Sequence, residues 1–444
     1  MSYGIPKMHN KQLFAALAFS VTFAGYLIFQ LATHDALNAL PRDADEVYFE
    51  ILSYNIARGK GFSGEIDDAV LAPYIAANTN GYYDSIISGQ YRTEIELLGI
   101  DSTTTYRAPL YPALIALLYK LFGRHFVLYR LINVIALALG GGIICLLCYQ
   151  LAGHKVATVA AILIFVDPFL KAWASLGLTE SVEFLLIALL SWGCIATPTD
   201  NRRTHNVIMG LILGLLAIER SVFAIWLPFV FLGRFFLERA LAPVTVFKHS
   251  LLVLVIALAI AGPWWLRNCL VLKSFMPLGS QGGMILGMIY NDETLEHRGN
   301  WTSEEHHDYY ESFVSPARGT DRERELAIYG SSKGITWLRQ HYTLIPKLIL
   351  LRIQSLWWSD AMPYQRLLVI FTALGLFYTF RKPEGQVLFL FLVIHSLAIG
   401  LTCNVVGKPP LIYGRYLFSL HPIMLIFSAI AIVKTSELPS TLRR

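Results

Sequence analysis

The 444 residues are 55% hydrophobic and only 15% charged, with a mean hydropathy of +0.51 and a formal net charge of +5. A soluble chain carries roughly a quarter charged residues, so this composition excludes an ordinary soluble domain and points to a polytopic membrane protein. The small basic excess is read as cytoplasmic Lys and Arg setting topology, not as affinity for an anionic partner.

The first apolar run, 12–33, can span a hydrocarbon core of about 30 Å and reads as a retained anchor, not a cleaved signal peptide. It delivers the chain to a first outer segment, 34–108, which opens with Asp43, Asp45 and Glu46 in DADEVYFEILSYNIARGKGF. Carboxylates gathered where a helix leaves the bilayer are costly to desolvate and mark functional candidates, against the plainer reading of a solvated loop start. The next stretch, TYRAPLYPALIALLYKLFG, sets Arg107 before Pro109 and Pro112, which bracket Tyr111 and give a rigid entry to an apolar helix over 109–122. An even number of crossings leaves that helix interfacial or re-entrant.

Spans follow at 126–152, 155–172 and 179–197. Cys145 and Cys148 lie inside the first of these without companion ligands, so helix packing is their role and not zinc. SLGLTESVEFLLIALL places Thr179 as an N-cap with Glu180 and Glu183 about one turn apart near the outer mouth. Two shorter runs, 206–219 and 221–238, are separated by Glu219 and Arg220, and a span at 248–266 ends in GPWWLRNCLVLKSFMPLGSQGG. Its tryptophans form an interface belt, and Arg267 beyond them has the planar donors that suit a phosphate. Gly279, Ser280, Gly282 and Gly283 offer backbone amides for an anion, a weak signal alone.

A second outer segment, 267–343, leads through a re-entrant or interfacial helix at 344–358 to spans at 366–381, 386–404 and 413–434. VVGKPPLIYGRYLFSLHPIMLIF sets Lys408, Arg415, Tyr416 and His421 at the outer start of the last span, where positive charge opposes the topological bias and points to an anion. The fold expected is an all-α integral membrane bundle of about ten spans with both termini cytoplasmic. It divides into a core at 1–266 that includes the first outer loop, a second outer region at 267–343 and C-terminal helices at 344–444. An outer cavity then has an acidic pole, Asp45 with Glu180, and a basic pole of Arg107, Arg267, Lys408 and Arg415.

In that order, DEVYFEILSYNIARGKGF, RAPLYPALIALLYKLFG, LTESVEFLLIALL, PWWLRNCLVLKSFMPLGSQGG and GRYLFSLHP resemble the polytopic glycosyltransferases of the GT-C type. The similarity is to the bacterial branch related to protein O-mannosyltransferases and lipid A aminoarabinose transferases. The resemblance implies inverting transfer of a monosaccharide from a polyprenyl-phosphate donor to an acceptor hydroxyl at the exterior face of a bacterial inner membrane. The acceptor is a lipid, a glycan or a protein, and no nucleic acid is a partner. Asp45 matches the family's first-loop acid and would be the general base, with Asp43 two residues away able to align instead. Glu46 and Glu180 complete the implied catalytic set. Arg107, Arg267, Lys408, Arg415 and Tyr416 would bind the donor phosphate, and Asp43, Tyr48, Tyr111 and His421 are the substrate-contact candidates, His421 standing where the family commonly has an acid or an apolar residue and open to a capping role instead. No cofactor is implied; a divalent cation, used by the oligosaccharyltransferase relatives and generally not needed in the closer branch, stays open as an alternative, and no His or Asp cluster has clear ligand spacing. A transporter or flippase of a lipid-linked sugar shares the basic outer pocket and is the alternative, although no internal repeat of the transporter kind is found.

Overall fold

The computed structural model describes residues 10–42, 44–195, 202–238, 241–297, 299, 312–358, 363–402 and 415–437. Among them all regular structure is helical, the one β feature being an isolated bridge between Ser63 and Thr103. The first outer segment holds α2 (Ala44–Ala57), α3 (Asp68–Ala77), α4 (Asp84–Ile87) and α5 (Gln90–Leu98), after α1 (Asn10–Thr33). Then come α6 (Leu110–Phe122), α7 (Val127–Ala152), α8 (His154–Val166), α9 (Pro168–Ser175), α10 (Glu180–Ile195), α11 (Arg202–Glu219), α12 (Val230–Leu237) and α13 (Pro243–Leu272). The second outer segment holds α14 (Gln281–Ile289), α15 (Asp292–Glu296) and α16 (Gly319–Gln340), and the chain closes with α17 (Ile345–Trp357), α18 (Pro363–Thr379), α19 (Pro383–Thr402), α20 (Arg415–Phe418) and α21 (His421–Ser436).

By length and composition α1, α7, α13 and α19 can each cross a bilayer. The bent pair α8 and α9 can serve as one further span, turning by 52° where Asp167 ends one helix and caps the next. Pro168 cannot donate its nitrogen, so the turn falls where the hydrogen-bond ladder is already broken. The run 221–238 is not one helix. It splits into a 3₁₀ turn, Ser221–Trp226, and the 8-residue α12, because Pro228 interrupts the ladder between them. The last span likewise begins with a separate short helix, α20, before α21 starts at His421 and Pro422. α6 and α17 have 13 residues each, about 20 Å of rise and well short of the hydrocarbon core.

α7 is the central post of the bundle. Its Phe184-facing, Ile164-facing and Ser20-facing glycines, Gly140, Gly141 and Gly142, let α10, α8 and α1 close on it, since a Cβ at Gly140 would lie 2.6 Å from the Phe184 ring. Gly210 and Gly214 do the same for α11 on α13, with Ile256 and Ile260 filling the space a side chain would need. α1 instead shows Phe14, Leu17 and Val21 outward, the face expected against lipid. Away from the apolar bundle Tyr48, Leu52, Phe62, Ile95, Leu98 and Ile100 share one core with Met284, Met288, Leu326 and Ala327. The two outer segments therefore fold as a joint cap, which α2 links to the bundle.

Candidate functional site

Asp45 lies in the first turn of α2, where unpaired backbone N–H groups favour a carboxylate. The helix is held by Glu50, which is buried and takes Nε and Nη2 of Arg124 at 2.8 and 2.7 Å and the Tyr74 hydroxyl at 3.2 Å. Against this anchored helix the Asp45 carboxylate meets two guanidinium groups. Arg107, from the loop before α6, donates Nη2 to Oδ1, and Arg415 of α20 donates Nη1 to Oδ2 at 2.5 Å. Arg107 is itself laid over the rings of Tyr106 and Phe49, at 4.8 and 5.5 Å to the centroids.

Arg415 turns its Nε to Glu180 Oε1, and Arg220 Nη1 stands 3.6 Å from the same oxygen. Arg220 also donates to Glu183 Oε1 at 3.0 Å and covers the Tyr416 ring at 5.0 Å. The Thr179 and Ser419 hydroxyls reach Glu183 at 2.9 and 2.8 Å, completing its shell. Glu180 and Glu183 are both fully buried, so each acid needs its cation close by. The result is an alternating row, Arg107, Asp45, Arg415, Glu180, Arg220, Glu183, drawn from α2, α10, α20, the end of α11 and the loop before α6. Burial alone would raise the Asp45 carboxyl, but Arg107 and Arg415 outweigh it and hold that carboxyl well below the ordinary carboxylate range.

Other candidates stand elsewhere. Glu46 is buried and accepts from the backbone N–H groups of Arg42, at 3.0 Å, and Gly177, so it ties α2 to the segment entering α10. Arg267 donates to the Thr104 carbonyl at 2.6 Å and stacks on Trp264 at 4.5 Å, joined to the cap and in no ion pair with the acids of the row. Tyr48 gives its hydroxyl to the Ile100 carbonyl at 3.1 Å and Tyr111 to Asn133 at 3.1 Å, both in the packed interior. His421 is buried, bonded to Asp167 at 2.6 Å and stacked on Phe418. Asp167 also takes the Tyr364 hydroxyl at 2.9 Å.

The glycine-rich turn is no anion cradle in this geometry. Gly279 packs on the Thr105 carbonyl and Ser280 donates to Glu323 at 2.6 Å, and a carboxylate already occupies the place an anion would need. Burial pushes the Glu323 carboxyl up despite the hydroxyls of Ser280 and Thr105 that hold it. Asp43 and Lys408 lie outside the described residues. No cluster of three or more His, Cys, Asp or Glu suited to a metal occurs among the described residues.

Sequence reasoning passed over Arg220, treating it as punctuation between two apolar runs. The signal was present: an acid and a base, Glu219 and Arg220, stand together at the end of an apolar helix opposite its basic start, Arg202 and Arg203, where the topological bias does not account for a positive charge. Chemically, the row offers guanidinium donors for phosphate oxygens beside a carboxylate able to accept a proton.

Residues 106–266 match the family model of dolichyl-phosphate-mannose-protein mannosyltransferase, a stretch that contains Arg107, Glu180, Glu183 and Arg220. The oligosaccharyltransferase of Archaeoglobus fulgidus complexed with Zn and sulfate superposes with a TM-score of 0.51 at 14% identity, over 92% of this chain and 49% of that one. The oligosaccharyltransferase AglB of the same organism, complexed with an inhibitory peptide and a dolichol-phosphate, gives 0.53 at 13% identity, over 96% and 51%. ArnT from Cupriavidus metallidurans bound to undecaprenyl phosphate gives 0.41 at 12% identity, over 97% and 79%. The chain thus spans about half the length of the oligosaccharyltransferases it matches. No curated protein matches it in sequence.

Proposed function

We propose that this all-α membrane protein is a glycosyltransferase of the GT-C type that moves a single sugar from a polyprenyl-phosphate donor to an acceptor hydroxyl outside the membrane, a reading supported by the family match over 106–266 and by the shared fold. The observation that carries the reading is the row of Arg107, Asp45, Arg415, Glu180 and Arg220, which sets a carboxylate between donors suited to a phosphodiester.

In the step proposed, the acceptor oxygen attacks the anomeric carbon from the face opposite the phosphate, and its proton passes to the Asp45 carboxylate. The bond from that carbon to the phosphate oxygen breaks, and the electron pair leaves with the polyprenyl phosphate. Configuration inverts because attack and departure take opposite faces. Arg107 and Arg415 meet the charge that grows on the leaving oxygen, the electrostatic part of the barrier reduction. Lys408 lies close in sequence to Arg415 and is proposed to join them. Arg267 is proposed to act farther out, at the cap.

Transfer of radiolabelled sugar from polyprenyl-phosphate donors in vesicles tests this. Asp45→Asn keeps shape without basicity and should lower transfer by about 10²- to 10⁴-fold, the share of a positioned base. Undiminished transfer in that variant would move the base to Asp43 or Glu180. A folded wild type that transfers from no donor, yet carries lipid-linked sugar across the bilayer, would establish the transporter instead.

A further inference from the structure

Asp45, Glu180 and Glu183 are three carboxylates in contact with three guanidinium groups, Arg107, Arg415 and Arg220. Among the described residues the charges of this row balance before any ligand arrives. Glu219, buried next to Arg220 in the chain, adds another carboxylate and no cation. A phosphodiester entering here brings negative charge to a place where the guanidinium charges are already paired with carboxylates. Arg415 gives Nη1 to Asp45 and Nε to Glu180. Arg107 gives Nη2 to Asp45, and its buried Nε has no hydrogen-bond partner.

We propose that the donor phosphate and the Asp45 carboxylate compete for Arg107 and Arg415, so that Asp45 becomes a free base only once phosphate has displaced it. This rests on the transferase reading above and adds to it a reason why the base stays idle without donor. With both arginines on Asp45, its carboxyl is held below the ordinary carboxylate range, which weakens it as a base. When phosphate takes their charge, burial still raises the carboxyl and is opposed less strongly, Arg220 being a smaller lowering influence than either of them. Glu180 is not stranded when Arg415 turns away, because Arg220 already stands 3.6 Å from it. Arg220 is thus a positioning residue. It keeps Glu180 compensated while its neighbour changes partner.

Competition has an equilibrium signature that needs no turnover. A ligand whose site is occupied by an internal competitor binds more weakly by the fraction of molecules in which the site is open. Removing the competitor restores the lost affinity, so loss of the base should tighten binding of the phosphate. The experiment is calorimetric titration of farnesyl phosphate into detergent-purified wild type, Asp45→Asn and Glu183→Gln, each first shown to unfold at a comparable temperature. Asp45→Asn should bind at least about tenfold more tightly than wild type. Glu183→Gln removes a carboxylate of the same row that touches Arg220, Thr179 and Ser419 but neither Arg107 nor Arg415, and should change affinity less than about threefold. Infrared difference spectra on adding farnesyl phosphate should show a carboxylate stretch that shifts in wild type and is missing in Asp45→Asn.

Equal affinity in wild type and Asp45→Asn would overturn competition while leaving the transferase reading intact. Equal gains in both variants would also overturn it, since a general field and not a shared guanidinium would then be responsible. Failure of every folded variant to bind farnesyl phosphate would overturn the donor assignment itself, and the competition with it.

Discussion

Replacing Arg220 with Met removes a cation that faces two fully buried carboxylates, Glu183 at 3.0 Å and Glu180 at 3.6 Å. Methionine fills much of the arginine stem, so the cost is electrostatic and not a large cavity. Breaking a buried pair from one side costs about 3–5 kcal/mol, because the partner is left charged in a medium that solvates it poorly. Here Glu180 keeps Arg415, and Glu183 keeps the hydroxyls of Thr179 and Ser419, which places the expected loss near the lower limit, about 3 kcal/mol. Most of that should be the unpaired charge of Glu183, so Arg220→Met with Glu183→Gln should recover about 2 kcal/mol as a coupling energy. Sodium dodecyl sulfate titration of the two single variants and the double variant, followed by tryptophan fluorescence, measures both quantities. A single variant within about 0.5 kcal/mol of wild type, or two losses that simply add, would refute the claim that this arginine compensates a buried acid.

Gly214→Leu should destabilise by about 1–3 kcal/mol in the same titration, since its Cβ would fall 2.7 Å from Cβ of Ile260 and force α11 away from α13. His421→Leu should cost about 1–3 kcal/mol by leaving buried Asp167 one donor short, while the KM for donor stays within about twofold. A KM that rises tenfold at unchanged stability would restore His421 as a substrate contact. At Asp67 burial acts upward, but Arg58, Lys60 and the Val70 N–H hold the carboxyl well below its ordinary value. A depressed carboxyl contributes stability above its unfolded value of about 3.9 and loses it as pH falls through the folded value. Asp67→Asn, which keeps the cap to Val70 N–H, should therefore lose about 1 kcal/mol at pH 7, a small figure because the carboxylate is 32% exposed, and the gap to wild type should narrow in acid below that unfolded value.

Membrane character and the principal apolar helices were determined by the sequence alone, because hydrocarbon demands long apolar helices whatever their neighbours do. Asp45, Glu180, Arg107 and Arg415 were also legible there, as charged groups placed where an apolar segment makes charge expensive. Their arrangement was not. That Arg415 is shared between Asp45 and Glu180 depends on α2, α10 and α20 meeting, across 370 and 235 positions of chain separation. Glu46 and Glu180 look alike in sequence, each an acid in the first turn of a helix, and only packing distinguishes a carboxylate bound to the Arg42 and Gly177 backbone from one facing guanidinium groups. The same holds for Arg267 and His421, whose partners, the Thr104 carbonyl and Asp167, lie on distant segments. A pattern along the chain reports what a residue costs to bury, whereas which partner meets that cost is set by tertiary contacts that the local sequence does not encode.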